Sequence, residues 1–194
     1  MKKVLVSFAA MALAGGVMAQ SNQISLGADV ALPMGDFGDV YSLGIGPAVG
    51  FELPVGDNLG VTLQVSYMFL TVKDDFSDFI DKSSMLPVQA GLKYYFQDQQ
   101  EGFYGHAQLG IHSSSATTAE YTIPGIPGLT PDIVVPSETE SSSNFSWAIG
   151  AGYQLEKLDI GVRYNSISPD SDVDGAEASN YIGLRLAYLL SLGN

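Results

Sequence analysis

The chain contains no cysteine, so it has no disulfide framework, no thiolate metal site and no cysteine nucleophile. It is also poor in cations: 8 Lys+Arg stand against 21 Asp+Glu, a formal net charge of −13. So acidic a surface repels nucleic-acid phosphates, and no nucleic-acid partner is expected. Histidine is scarce too. His106 and His112 are the only two, and six residues along one predicted strand separates them by ~20 Å at ~3.3 Å per residue. They cannot act on one atom. Only 15% of the 194 residues are charged and mean hydropathy is +0.17, which excludes an acidic disordered protein. The length fits one domain. No apolar run after the N-terminus is long enough for a transmembrane helix.

The N-terminus has the three parts of a bacterial secretory signal. Met1-Lys2-Lys3 is basic, Val4 to Met18 is apolar but for Ser7 and two glycines, and Val17-Met18-Ala19 offers small or apolar residues before Gln20. Its ~15 apolar residues fall short of the ~20 that span a bilayer as a helix. The expected organisation is therefore a cleaved signal peptide at 1–19 and one domain at 20–194. Cleavage removes Lys2 and Lys3 and no acid, taking the net charge from −13 to −15.

From residue 23 the hydrophobic period is two, the signature of strands. Ile24, Leu26, Ala28, Val30 and Leu32 alternate with Gln23, Ser25, Gly27, Asp29 and Ala31, and seven further runs follow near 42–53, 59–69, 86–96, 103–112, 145–153, 158–164 and 182–190. A soluble sandwich would set Lys, Glu and Thr against its apolar face. Here the second face is mostly Gly, Ser, Ala and Gln. Small residues belong inside a narrow barrel, so the apolar face points outward to lipid. The connections between these runs alternate long and short, as long external loops and short periplasmic turns do. Outward aromatics sort the same way. Phe51, Tyr94, Phe96, Phe103, Tyr153 and Tyr188 lie near short turns, whereas Tyr67, Phe69, Phe145, Trp147 and Tyr164 lie near long loops. Two aromatic girdles mark two membrane interfaces. The predicted fold is all-β: an eight-stranded antiparallel up-and-down transmembrane β-barrel with short periplasmic turns and long acidic outer loops. Pro47 and Pro87 each remove a ladder donor, and a bulge at either would shift the inward–outward phase by one.

These strands, the loop asymmetry and the run Leu86-Pro87-Val88-Gln89-Ala90-Gly91-Leu92-Lys93-Tyr94-Tyr95-Phe96 resemble the small outer-membrane barrels of the OmpA/OmpX-like superfamily. The resemblance covers essentially residues 22–190. It implies an outer-membrane location, contact with outer-membrane lipids and lipopolysaccharide, and insertion by the barrel-assembly machinery. Two departures stand out: there is no C-terminal peptidoglycan-binding domain, and the end Tyr188-Leu189-Leu190-Ser191-Leu192-Gly193-Asn194 lacks the terminal Phe of proteobacterial members.

Inside such a barrel, Asp29, Glu52, Lys93, Arg163 and Arg185 share the interior parity, with Asp159 at the inner mouth. Buried charges must pair. The expected pairs are Arg185–Asp29 across the closing seam and Lys93–Glu52 near the periplasmic end, with Arg163 stacked above. Outside, the loops carry most of the acids against only Lys73 and Lys82. Asp170-Ser171-Asp172-Val173-Asp174-Gly175 matches half of an EF-hand loop, so Asp170, Asp172, Asp174 and Glu177 are candidate Ca²⁺ ligands, although the twelfth position is Tyr181 rather than Glu. Residues 113–143, rich in Ser, Thr and Pro, read as a long loop that is either disordered or a contact surface for a ligand. His112-Ser113-Ser114 is faintly similar to the His-x-Ser spacing of outer-membrane lipid A deacylases. Those enzymes present the pair to lipid, while this phase points His112 inward and offers no third orienting carboxylate.

The expected function is non-enzymatic: envelope integrity, or surface interaction and adhesion through the acidic loops. A narrow solute conduit is the alternative, and a lipid-modifying enzyme has the least support.

Overall fold

A computed structural model describes residues 21–97, 100–123, 132–169 and 177–192. The predicted signal segment, residues 1–19, and the Asp170–Gly175 motif lie outside them. Eight transmembrane strands run β1 (Asn22–Met34), β2 (Tyr41–Gly56), the pair β3 (Leu59–Ser66) and β4 (Met68–Val72), β5 (Ile80–Tyr95), β6 (Gly102–Thr118), β9 (Thr139–Gln154), β10 (Leu158–Ile167) and β11 (Ser179–Leu192). Each pairs antiparallel with its sequence neighbours. The sheet closes because β1 pairs with β2 on one side and with β11 on the other. Outward alternate residues such as Leu26, Val49, Leu63, Leu92, Leu109, Ile149, Ile160 and Leu184 are exposed, while Ser25, Asp29, Gln64, Gln89, Gln108 and Arg185 are buried. The polar face is inside.

The prolines do not shift the phase. Ile45 faces Phe69 before Pro47, and Ala48 faces Ser66 after it, in one constant register. Val65–Val88 and Met68–Met85 likewise keep one register past Pro87. That register sets Pro47 opposite Tyr67 and Pro87 opposite Ser66. The Tyr67 amide donates to the Pro47 carbonyl at 3.0 Å, but neither proline has an N–H to return. Two neighbouring ladder donors are thus missing from one place, and the strand parts there into β3 and β4. The register shifts occur at Pro54/Gly56, Tyr41/Leu43 and Ile80/Lys82, near strand ends.

Inward glycines serve close strand approach. A Cβ on Gly46 would overlap the Tyr67 carbonyl oxygen, and one on Gly91 the Ala107 carbonyl oxygen. The aromatic girdles form interlocked pairs at each interface: Tyr94–Phe96 and Phe103–Tyr153 at the short-turn end, Tyr67–Phe69 and Trp147–Tyr164 at the other.

The strands are longer than the hydrophobic alternation indicates. A ~25 Å apolar band crossed at ~45° takes about 10–11 residues, whereas β5 and β9 have 16 and β6 has 17. Residues 113–118 and 139–143 are therefore not loop. They pair in β6 and β9, flanked by the start of β5, as a three-stranded sheet rising out of the barrel. A separate two-stranded ladder, β7 (Tyr121–Ile123) with β8 (Ile133–Val135), belongs to the connection at its tip.

Candidate functional site

The interior of the barrel is organised in layers. At its centre Asp29 (β1) is fully buried and receives three donors: Arg163 Nη2 at 2.6 Å and Gln64 Nε2 at 2.9 Å on Oδ2, and Arg185 Nη1 at 3.3 Å on Oδ1. Arg185 also donates to Ser25 Oγ at 2.7 Å. Asp29 and Arg185 are register partners across the β1–β11 seam, but Arg163, from β10, makes the shorter contact. Arg163 is therefore a direct partner of Asp29 rather than a charge stacked above the pair.

Nearer the periplasmic end Lys93 Nζ lies 3.3 Å from Glu52 Oε2 and 3.4 Å from Asp159 Oδ2, and donates to Gln154 Oε1 at 2.5 Å. It also sits 4.0 Å from the centroid of the Tyr104 ring, within reach of its negative face. Tyr104 donates to Asp159 Oδ1 at 2.6 Å, and Gln100 Nε2 donates to Glu52 Oε1 at 3.1 Å. The Tyr95 hydroxyl donates to Glu52 Oε1 at 2.8 Å. Asp159 links the two clusters, lying 3.9 Å from Arg185 Nε. The acids Asp29, Glu52 and Asp159 thus balance Lys93, Arg163 and Arg185, and all six are buried. In so desolvated a lumen an unpaired member would be costly.

Sequence reasoning did not assign roles to Tyr95, Tyr104, Gln100 and Gln154, which complete the lower layer. Tyr95 and Tyr104 already carry interior parity, the one signal that marks them. Between the layers is a cavity of about 40 Å³, reached by Gln64, His106 and Gln108. His106 Nε2 and Gln108 Oε1 have no protein partner there, and the space suffices for a few waters at ~10–15 Å³ each.

The outer mouth is closed by different chemistry. Ala31, Met68, Leu70, Met85, Ile167 and Tyr181 form a buried apolar cluster. The short helix α1 (Asp36–Val40) after β1 brings Phe37 and the following Tyr41 onto it. His112 points inward, as its parity predicts, and its Nε2 is 2.8 Å from the Tyr181 hydroxyl. It faces no lipid. Of the candidate calcium ligands only Glu177 is described, and it is exposed. Among the described residues no three His, Cys, Asp or Glu side chains converge as a metal site.

A closed eight-stranded antiparallel barrel with a lipid-facing apolar exterior and a paired polar lumen is the architecture of a small outer-membrane protein. The chain belongs to the outer membrane protein beta-barrel domain family, whose model matches residues 4–190. This membership puts it in the outer membrane. Among solved structures it is similar to Ail, the attachment invasion locus protein of Yersinia pestis, at 16% identity over 88% of this chain and 99% of that one, TM-score 0.56. The N-terminal barrel of Pseudomonas aeruginosa OprF is similar at 12% identity over 88% and 98%, TM-score 0.55. Neisserial surface protein A is similar at 15% identity over 88% and 97%, TM-score 0.54. At these identities the likeness is one of fold. No curated protein sequence matches the chain.

Proposed function

We propose that this protein is a non-enzymatic surface protein of the outer membrane that makes contacts at the cell exterior through the sheet projecting from β5, β6 and β9. One observation carries the reading: strand pairing continues without interruption from the lipid-facing Ile111–Phe145 pair to Thr117–Thr139. The barrel thus holds a rigid platform above the membrane instead of a flexible loop. At its tip the β7–β8 ladder exposes Tyr121, Ile123, Ile133 and Val134, and apolar side chains gathered on a polar surface suit a protein partner. The lumen favours no conduit, because an apolar cluster fills one mouth and a hydrogen-bonded layer the other. The heparin analogue sucrose octasulfate, bound by Ail, is poor chemistry for a chain of net charge −13.

The test is adhesion of cells displaying the protein to panels of protein-coated surfaces and to other cells. Wild type is compared with Ile133→Asp/Val134→Asp and with a chain in which 119–138 is replaced by a short turn. The reading expects lost adhesion at equal surface display. Undiminished adhesion by both variants would overturn it.

A further inference from the structure

The ladder between β5 and β6 runs one hydrogen bond past its last register pair, Ile80–Thr118: the Ala119 amide donates to the Phe79 carbonyl at 2.9 Å. That bond sets two acid–aromatic dipeptides side by side, Asp78–Phe79 from the loop between β4 and β5 and Glu120–Tyr121 at the root of β7. Glu138 is tied to the same place by Thr118, whose amide donates to the Glu138 carbonyl at 2.9 Å and whose hydroxyl accepts the Glu138 amide at 2.9 Å. Three stretches of chain thus meet at one backbone-bonded corner of the platform.

Both rings stand in the open, Phe79 at 69% exposure and Tyr121 at 56%. The membrane does not account for this. Phe79 lies five residues outward of Ser84, the register partner of the girdle residue Phe69, so its open face meets water. Burying such rings against a partner is favourable. The carboxylates beside them are also exposed, and among the described residues Asp78, Glu120 and Glu138 form no ion pair.

Resting on the reading of the platform as an adhesive surface, we infer that this corner takes an arginine-bearing segment of another protein, with apolar residues beside the arginine. Charge complementarity selects the occupant. A guanidinium stacks its planar face on an aromatic ring while its edge takes a carboxylate bidentately. Each dipeptide places a ring and a carboxylate on neighbouring residues. The apolar neighbours of the arginine fall against Ile123 and Ile133, which share one face of β7–β8 with Tyr121 by register and alternation. A second copy of this chain, or an anionic membrane, would bring more negative charge to the corner. Backbone hydrogen bonds already fix the three stretches, so little ordering accompanies binding.

Fluorescence anisotropy of labelled short peptides with the full chain refolded in zwitterionic nanodiscs tests the inference, with empty nanodiscs as background. The probes are an Arg/Leu peptide and versions with Lys for Arg, Glu for Arg, or Ser for Leu. The Arg/Leu peptide should bind most tightly, the Lys version more weakly, and the Glu version not at all. Phe79→Ser/Tyr121→Ser and Asp78→Asn/Glu120→Gln should each weaken the Arg/Leu peptide about fivefold, in keeping with exposed cation–ring and surface ion-pair contacts. Asp36→Asn/Asp39→Asn removes the same charge over the barrel mouth and should leave binding unchanged. Equal binding of the Arg and Glu peptides, or an equal loss in the Asp36/Asp39 variant, would overturn it. So would pairing of protein-bearing nanodiscs without peptide, or capture of added vesicles, which would give the corner to a second copy or to a membrane. Tip-dependent cell adhesion with no preference for arginine overturns this inference alone, whereas adhesion independent of the tip overturns the adhesive reading.

Discussion

Arg163 holds Asp29 at 2.6 Å although it stands one strand further away than Arg185, the register partner of Asp29, whose contact is 3.3 Å. Arg163 pairs in register with Gly183 of β11, and its side chain passes over that bare backbone to reach the carboxylate. Asp29 is therefore shared, and the two arginines are not equivalent. Asp29→Ala strands the Arg163 guanidinium, leaves Arg185 only Ser25 and Asp159, and should cost about 3–5 kcal/mol, the range for breaking a buried pair. Arg185→Ala should cost less, because Arg163 and Gln64 still hold the carboxylate. Urea unfolding in lipid vesicles measures both, and the reverse order would contradict the assignment.

The outward face is checked by burying charge in lipid. Leu63→Arg and Leu184→Arg, both on exposed mid-strand positions, should each cost about 2–4 kcal/mol in vesicles. Asp75→Arg, in the loop helix α2 (Asp74–Ser77), should be nearly neutral. Equal costs at all three sites would show that the strand face does not meet lipid.

The two closures of the lumen predict electrical silence. Wild-type protein and Arg185→Ala should give no current steps in planar bilayers, since neither the Met68–Met85–Tyr181 cluster nor the Tyr95–Tyr104–Gln154 layer depends on Arg185. Sustained unitary steps from the wild type would restore the conduit reading.

Pro47→Ala provides an amide facing the Tyr67 carbonyl. The added ladder bond is worth about 0.5–1.5 kcal/mol, partly offset by the greater freedom of the unfolded chain without proline. The sharper readout is hydrogen exchange. The new amide at position 47 should exchange as slowly as its strand neighbours, and fast exchange there would mean that the ladder is open for another reason.

How much of this was legible in sequence depends on what lipid enforces. Leu26, Leu63 and Leu184 must alternate with Ser25, Gln64 and Arg185 because one face meets hydrocarbon and the other a narrow lumen, so strand number and phase show through. Above the membrane that constraint ends. Ser113 to Thr118 and Thr139 to Ser143 have polar residues on both faces, leaving no period to detect, and the segment reads as loop although it is sheet. The seam pair Asp29–Arg185 is likewise accessible from strand order, because barrel closure makes the first and last strands neighbours. The Arg163–Asp29 contact runs diagonally over Gly183, which parity does not encode. Pro47 and Pro87 read separately as two defects, but register sets them against adjacent residues of one strand.

The ladders of β6 have a mechanical consequence. The strand runs as one piece from the periplasmic turn to the exterior, bonded along its length to β5 and β9. Tension applied at the tip along the strand axis would load those hydrogen bonds together in shear instead of peeling them one at a time. A tethered cell would thus pull against the whole wall of the barrel.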